Sequence, residues 1–133
     1  MDAELRFFID RGIGSRLVPG GLRDAGWALT TMDERYGSTR SQSVTDVEWI
    51  TEATSRGEIL ICKDRAIAKR PLEAEAIRLH AARVLVIASA QLTGSEMLRR
   101  LIANESAIGR AARNSGPFVL GVDVAKLHRI QLR

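Results

Sequence analysis

The stretch EILICKD, residues 58–64, decides the fold of this chain. Four consecutive apolar residues, ILIC, lead to Lys63 and Asp64 without the alternation of polar and apolar positions that marks a half-buried strand. An unbroken run of this kind is typical of a strand covered on both faces, as in a parallel sheet between two layers of helices. We therefore predict an α/β fold of three layers, with a mainly parallel central sheet flanked by helices.

The rest of the chain continues this alternation of strands and helices. Apolar runs predict further strands over residues 5–10, 27–32 and 83–89, and a terminal hairpin formed by residues 117–122 and 127–132. Helical spacing and capping signals predict helices over residues 17–25, 45–57, 70–82 and 93–113, the last as one long helix with the apolar stripe Met97, Leu98, Leu101, Ile102 and Ile108. The polar stretch 33–44 is predicted to be a mobile loop.

Size and composition limit the class of protein. A chain of 133 residues with 45% hydrophobic residues suits one folded domain, so we expect residues 1–133 to form a single domain. No apolar run approaches the roughly 18 residues that a membrane-spanning helix needs. The acidic start MDAELRFF lacks the pattern of a secretory signal, and we expect a cytoplasmic protein without membrane contact. The single cysteine, Cys62, excludes an internal disulfide and a cysteine-rich zinc site.

Positive charge is concentrated in the last third of the chain. Residues 97–133 contain seven Lys and Arg against two acids, whereas residues 1–96 contain thirteen against fourteen. A basic segment can follow the phosphate backbone of a nucleic acid, which makes a nucleic acid a candidate partner. The alternative is a solvated basic surface in an arginine-rich protein.

Two of the predicted strands end in an aspartate. FFID ends at Asp10 and ILICKD ends at Asp64. The carboxyl ends of parallel strands meet at one edge of a sheet, and ligands bind there at the point where the strand order reverses. Two close carboxylates repel each other, and a divalent ion such as Mg²⁺ or Mn²⁺ removes that repulsion because it prefers oxygen ligands. The alternative is that each aspartate only caps the turn after its strand.

Asp46 is the third candidate ligand. It lies in the first turn of the predicted helix that precedes the strand ending in Asp64, so both residues should reach the same edge of the sheet. An acid at this position also complements the helix dipole, which is its alternative role. Arg11, Lys63 and Arg65 flank the two strand-end aspartates and are candidate contacts for a substrate phosphate, or else charge-balancing partners.

Two other kinds of site are disfavoured by the sequence. The segment GIG after the first strand does not complete a dinucleotide fingerprint, because Leu17 stands where the third glycine belongs. His80 and His128 lie in different predicted elements and accompany no recognisable nucleophile motif, which argues against a catalytic triad.

Taken together, these motifs resemble the PIN-domain nucleases, and most closely the short PIN-like branch that includes the VapC-type toxins of toxin–antitoxin pairs. In that branch an opening strand ends LLDE, a helix begins D-x-x-W/I and a later strand reads LLTRDxDF. The corresponding segments here are FIDRG with Asp10, TDVEWI with Asp46 and ILICKDRAI with Asp64. The resemblance covers residues 5 to about 105.

The resemblance implies a fold, an activity and partners. The fold is a mainly parallel sheet in which the strand bearing Asp64 lies beside the first strand. The activity is that of a metal-dependent endoribonuclease, in which Asp10, Asp46 and Asp64 hold Mg²⁺ or Mn²⁺ and the ion activates a water for in-line attack on phosphorus. The implied partners are an RNA substrate and the cognate antitoxin protein of a type II system, and many members of the branch form a homodimer.

The chain departs from the family pattern at three places. Arg11 replaces an acid that is common after the first aspartate, and Ala66 stands where the last motif often has a second aspartate. The family's glutamate on a helix after the second strand falls in the predicted loop, where Asp33 or Glu34 is the candidate for a fourth carboxylate. These differences keep open a catalytically silent PIN-like module that binds RNA or protein.

A phospho-receiver signalling domain is an alternative from a different class. That fold also places aspartates at strand ends, and Ser89 would supply a hydroxyl at the end of the fourth strand. The absence of an acid beside Asp10 and of a lysine directly at the tip of the fifth strand disfavours it.

Overall fold

Six strands form one sheet in the computed structural model, which describes residues 1–87 and 91–133. In chain order the strands are Arg6–Ile9 (β1), Ala28–Thr31 (β2), Ile59–Cys62 (β3), Arg83–Val86 (β4), Phe118–Val122 (β5) and Leu127–Ile130 (β6). The helices are Leu17–Asp24 (α1), Met32–Tyr36 (α2), Asp46–Ser55 (α3), Pro71–His80 (α4), Gly94–Ala103 (α5) and Glu105–Ala111 (α6). Short 3₁₀ helices connect them at Arg11–Ile13, Arg40–Gln42 and Arg65–Ala68.

The strand order in the sheet is β2-β1-β3-β4-β5-β6. Neighbouring strands are parallel except for β5 and β6, which form the terminal hairpin predicted from the sequence. The chain passes from β1 to β2 on one side and then crosses to β3 on the other, so the strand order reverses between β1 and β3. These two strands are neighbours, with Ile9 opposite Ile61, which confirms the expected position of the strand that leads to Asp64.

Helices cover both faces of the sheet. One hydrophobic cluster joins the strands to α3 and α4, and its large members include Phe8, Leu60, Trp49, Ile50 and Ile77. The other cluster joins the strands to α1, α5 and α6, and includes Phe7, Ile9, Ile61, Leu22, Leu101 and Ile108. All four residues of β3 are buried, as its unbroken apolar run predicts. The predicted three-layer α/β fold with a mainly parallel sheet is confirmed.

Local sequence signals mark several helix ends. Thr45 caps α3 by accepting a hydrogen bond from a backbone N–H of the first turn, and Pro71 is the first residue of α4. Pro19 lies within the first turn of α1, where its missing N–H breaks no helical hydrogen bond. Gly57 follows α3 with a φ of +76°, a conformation that glycine adopts without the steric cost of a Cβ atom.

The prediction that residues 33–44 form a mobile loop is wrong, because most of α2 and a short 3₁₀ helix lie there. Thr31 accepts a hydrogen bond from the Glu34 N–H, and the Glu34 carboxylate accepts one from the Thr31 N–H. This is a complete capping box, and its T-x-x-E spacing is readable in the sequence. Farther along, Ser41 is fully buried and its hydroxyl donates to Asp33 at 2.5 Å, which ties the segment together.

The prediction of one long helix over residues 93–113 is also wrong, since α5 and α6 meet at Asn104. The Asn104 side chain is buried and donates hydrogen bonds to the carbonyls of Arg100 and Asp123. Side-chain bonds of this kind compete with the regular helical ladder. The predicted apolar stripe is interrupted as well, because Ile102 is 37% exposed.

Two further expectations concern the fourth strand and the membrane. The fourth strand is observed at Arg83–Val86, and Ser89 of the receiver alternative lies outside the residues that the structure describes. Among the helices of residues 1–87 and 91–133, none combines the length and apolar character that crossing a membrane requires.

Candidate active site

Asp10 follows β1 directly and is held at the edge of the sheet. Its backbone N–H donates a hydrogen bond to the Ile61 carbonyl of β3 at 2.9 Å. Its Oδ1 accepts from the Arg11 N–H at 2.7 Å and so caps the 3₁₀ helix that follows. Burial, and then the nearby negative charge of Asp46, raise the pKa of the Asp10 carboxyl. Asp10 therefore caps its turn, as the simpler alternative predicts, and also lies near a second carboxylate.

Asp64 occupies the equivalent position after β3. Its Oδ1 accepts a hydrogen bond from the Ala66 N–H at 2.9 Å and caps the short helix that follows. Its Oδ2 accepts from the guanidinium of Arg70 at 2.7 Å. Because β1 and β3 are parallel neighbours, Asp10 and Asp64 leave the sheet at the same edge, on the two sides of the point where the strand order reverses.

An open depression of about 360 Å³ lies between the ends of these two strands. Asp10, Gly12, Lys63 and Asp64 line it. A larger depression of about 510 Å³ lies beside the hairpin of β5 and β6, away from the strand-end aspartates. Volume alone therefore does not identify the site, and the depression between Asp10 and Asp64 is the candidate because it lies where the strand order reverses.

Asp46 is the first residue of α3, and a core tryptophan orients its carboxylate. The Trp49 indole Nε1 donates a hydrogen bond to Asp46 Oδ1 at 2.9 Å. Trp49 is buried and its ring stacks on that of Phe8 in β1, with centroids 5.7 Å apart. The start of α3 is thereby held at the edge of the sheet where β1 ends.

A single guanidinium bridges Asp46 and Asp64. One terminal nitrogen of Arg70 donates to Asp64 Oδ2 at 2.7 Å, and the other donates to Asp46 Oδ2 at 3.0 Å. The Nε of Arg70 donates to Glu73 at 2.7 Å. Hydrogen bonds to Glu73 and then to Asp64 raise the pKa of Arg70. No local sequence pattern marks Arg70, because its contact with Asp46 spans 24 residues and depends on the packing of α4 beside α3.

The donor set of Asp10, Asp46 and Asp64 suits Mg²⁺ or Mn²⁺ chemically, because it offers only oxygen atoms. Within residues 1–87 and 91–133, no three His, Cys, Asp or Glu side chains form a group that could hold one metal ion. Two of the three carboxylates instead share an ion pair with Arg70. Metal binding by this set stays a prediction.

The three predicted substrate contacts lie in different surroundings. Lys63 lines the depression beside Asp64. The Arg11 guanidinium donates to the Ser41 carbonyl, in the segment that precedes α3. Arg65 is exposed directly after Asp64. Lys63 therefore borders the depression, whereas Arg11 is engaged by the protein backbone. A phosphate contact by any of the three residues stays a prediction.

The two candidates for a fourth carboxylate both have structural partners. Glu34 forms an ion pair with Arg23 at 2.7 Å in addition to capping α2, and the hydrogen bond from Arg23 lowers the pKa of Glu34. Asp33 accepts from the Ser41 hydroxyl and lines a separate cavity of about 200 Å³, to which Arg11 also contributes. A role for either residue as a fourth ligand stays a prediction.

Comparisons with known proteins agree with this geometry. A family model described as a PIN-like domain matches residues 5–89, which include Asp10, Asp46 and Asp64. The chain is also 40% identical over 123 residues to a protein of Mycobacterium tuberculosis (strain ATCC 25618 / H37Rv) that bears the name "Putative ribonuclease VapC45"; the alignment covers 92% of this chain and 89% of that protein. No solved structure matches the chain significantly. The chain therefore belongs to the PIN-like domain family.

Proposed function

We propose that this protein is an endoribonuclease that depends on Mg²⁺ or Mn²⁺ and acts as the toxin of a type II toxin–antitoxin pair. The observation that carries the proposal is the placement of Asp10, Asp46 and Asp64 at the edge of the sheet where the strand order of a PIN-like fold reverses. The name of the Mycobacterium tuberculosis relative supports the same activity. The receiver alternative is abandoned, because the matched family is a different one.

In this proposal the three aspartates hold the metal ion through their carboxylate oxygens. A bound divalent ion would activate a water for in-line attack on phosphorus and stabilise the negative charge that develops on the phosphate. Asp10 is held by the backbone hydrogen bond to Ile61, and Asp46 is oriented by the indole of Trp49. Carboxylates held in this way keep the reacting groups aligned, which lowers the entropic part of the barrier.

The RNA substrate would be held by basic side chains. Lys63 lines the depression, and lysine contacts phosphate as a compact positive charge. The positive charge of residues 97–133 is partly neutralised, because Arg99, Arg100 and Arg113 form ion pairs with acids. Lys126 lies in the turn between β5 and β6, at the edge of the sheet where the parallel strands end. We expect Lys63 to contribute more to RNA binding than the basic C-terminal segment.

Partners and location belong to the same proposal. A cognate antitoxin protein and a homodimeric state are proposed from membership of the family. An RNA substrate and a protein antitoxin together imply action in the cytoplasm. Co-expression with candidate antitoxins tests whether the chain forms a complex with an antitoxin. Size-exclusion chromatography of the purified chain tests whether it forms a homodimer.

A catalytically silent PIN-like module is the second candidate. Arg70 already forms ion pairs with Asp46 and Asp64, and the candidates for a fourth carboxylate have partners of their own. A silent module would bind RNA with an affinity that falls as salt rises, but would not cleave it.

Incubation with a pool of transfer and ribosomal RNAs distinguishes the two candidates. We expect cleavage with Mn²⁺ or Mg²⁺ and none with EDTA. Asp10→Asn should lower the rate at least about 100-fold, because changes to groups that merely support metal ligands already cost about 10- to 100-fold. Asp24→Asn is the matched control, since Asp24 is an exposed aspartate at the far end of α1, and should cleave at the wild-type rate.

Thermal unfolding followed by circular dichroism shows whether the variants are folded. Cleavage that persists in EDTA, or equal rates for the wild type and Asp10→Asn, would contradict the nuclease proposal. Salt-sensitive RNA binding without cleavage under every metal condition would favour the silent module instead.

A further inference from the structure

Arg70 engages the carboxylate oxygens that a metal ion would need. Oδ1 of Asp46 accepts from the Trp49 indole, and Oδ1 of Asp64 accepts from the Ala66 N–H. The second oxygen of each carboxylate, Oδ2, accepts from a terminal nitrogen of Arg70 at 3.0 and 2.7 Å respectively. The guanidinium therefore lies on the side of each carboxylate that these two other donors leave open.

We propose that Arg70 is an internal counter-cation that competes with the divalent ion for Oδ2 of Asp46 and Asp64. This inference rests on the proposed metal-dependent function and names one residue that regulates it. A guanidinium and a divalent ion that approach the same two oxygens compete for them, because their positive charges repel each other. A metal ion must weaken or displace these contacts of Arg70, so its affinity is lower than the carboxylates alone would confer.

The surroundings of Arg70 permit this displacement. Its side chain is 38% exposed, so the guanidinium can move into water. Its Nε is bonded to Glu73 at 2.7 Å, which leaves the displaced side chain a carboxylate partner beside the site. Ion pairs exposed to this degree contribute little in water. The two contacts with Asp46 and Asp64 can therefore be exchanged for contacts with a metal ion.

Competition makes distinct predictions for two substitutions of Arg70. Arg70→Met keeps an unbranched stem as far as the position of Nε but removes the guanidinium and its charge, so the two Oδ2 atoms become available. Arg70→Lys keeps the charge but lacks the planar fork that reaches two carboxylates at once. We therefore expect metal affinity to rise in the order wild type, Arg70→Lys, Arg70→Met.

Mn²⁺ binding to the intact chain tests this order without reference to RNA cleavage. Electron paramagnetic resonance of free Mn²⁺, supported by calorimetry, gives the dissociation constant of each protein. We expect Arg70→Met to bind Mn²⁺ at least about fivefold more tightly than the wild type. In the wild type the metal ion has to break two exposed ion pairs of Arg70, and the free energy of such pairs corresponds to about that factor in affinity. Arg78→Met, which removes an ion pair with Glu75 on the same helix, is the matched control and should leave the affinity unchanged.

If folded Arg70→Met binds Mn²⁺ no more tightly than the wild type does, the proposal that Arg70 competes with the metal ion is wrong. If Arg70→Met does not fold, Arg70→Lys decides, and an affinity no higher than that of the wild type overturns the proposal. If Asp64→Asn binds Mn²⁺ as tightly as the wild type does, the proposed ligand set is wrong. This outcome distinguishes a failure of the proposed metal site from a failure of the proposed competition by Arg70. Absence of Mn²⁺ binding by both the wild type and Arg70→Met would contradict both proposals.

Discussion

Trp49 holds Asp46 in place, because its indole Nε1 donates a hydrogen bond to Asp46 Oδ1 at 2.9 Å. The indole lies in the core and stacks on Phe8, with ring centroids 5.7 Å apart. Phe8 in turn lies in β1, two residues before Asp10, which follows that strand directly. The stacked rings of Trp49 and Phe8 thus connect Asp46 with the strand that leads to Asp10. Packing on this face of the sheet therefore fixes the relative position of these two candidate ligands.

Trp49→Phe tests whether the hydrogen bond from Trp49 to Asp46 affects the cleavage rate as well as the stability of the fold. The substitution keeps an aromatic ring in the stack and removes the hydrogen-bond donor. We expect the cleavage rate to fall by about 10- to 100-fold, the usual effect of removing a group that supports a metal ligand. The free energy of unfolding should fall by about 1–3 kcal/mol, because a hydrogen bond to a charged group is lost. Initial cleavage rates and urea unfolding curves measure the two effects.

Trp27 offers a matched control for Trp49→Phe. It is also buried, and its indole donates to Glu105 at the start of α6, in a helix that packs on the other face of the sheet. Trp27→Phe should lower stability by a similar amount and leave the cleavage rate per folded molecule unchanged. A comparable loss of cleavage in both variants would contradict a positioning role for Trp49.

Arg35→Met should destabilise the protein strongly. Arg35 and Glu58 form a two-pronged ion pair with both distances at 2.6 Å, and their side chains are only 9% and 6% exposed. Removing the cation leaves the Glu58 carboxylate buried without its partner, which costs about 3–5 kcal/mol of unfolding free energy. Urea unfolding monitored by tryptophan fluorescence measures the loss.

Two companion variants make the cause of that loss testable. Arg35→Met with Glu58→Gln should recover a large part of the stability, because no buried charge remains. Arg56→Met removes an exposed ion pair with Glu52 and should cost less than about 1 kcal/mol. If the double variant is no more stable than Arg35→Met alone, the loss does not arise from an unpaired carboxylate.

Gly21 and Gly20 should respond to alanine in opposite ways. A Cβ atom on Gly21 would lie 2.3 Å from Cδ2 of Leu98, because α1 and α5 approach closely there, whereas a Cβ on Gly20 would meet nothing within 4 Å. Gly21→Ala should therefore be about 1–3 kcal/mol less stable than Gly20→Ala, because the Leu98 side chain has to shift. Gly20→Ala should raise stability by about 0.5–1 kcal/mol through the higher helix propensity of alanine. Thermal and urea unfolding of both variants provide the comparison, and a stabilised Gly21→Ala protein would contradict the close approach.

The Cys62 thiol should be unreactive until the protein unfolds. It is fully buried in β3, and burial, followed by the negative charge of Asp10, raises its pKa well above the usual value. The thiolate is the reactive form, so a raised pKa leaves less of it at pH 8 than in a free cysteine. We expect labelling by Ellman's reagent at least about 100-fold more slowly in buffer than in concentrated urea. Rapid stoichiometric labelling of the native protein would show that β3 is accessible.

The sheet was predictable from the sequence because its strands are short apolar runs between turn signals. The runs FFI and ILIC lie in β1 and β3, and both are buried. The start of α2 is also readable in the sequence, since the capping spacing of Thr31 and Glu34 is local. The break between α5 and α6 is not readable in this way, because Asn104 bonds the Asp123 carbonyl 19 residues away.

The sequence alone determined that Asp10 and Asp64 end strands and that Asp46 starts a helix, because apolar runs and helix caps are local signals. The tertiary structure decided that one guanidinium, that of Arg70, bridges Asp46 and Asp64. It also decided that the predicted phosphate contact Arg11 bonds a backbone carbonyl. The physical reason is that contacts between elements depend on strand order and helix packing, which bring together groups 24 and 30 residues apart and leave no mark on the local pattern.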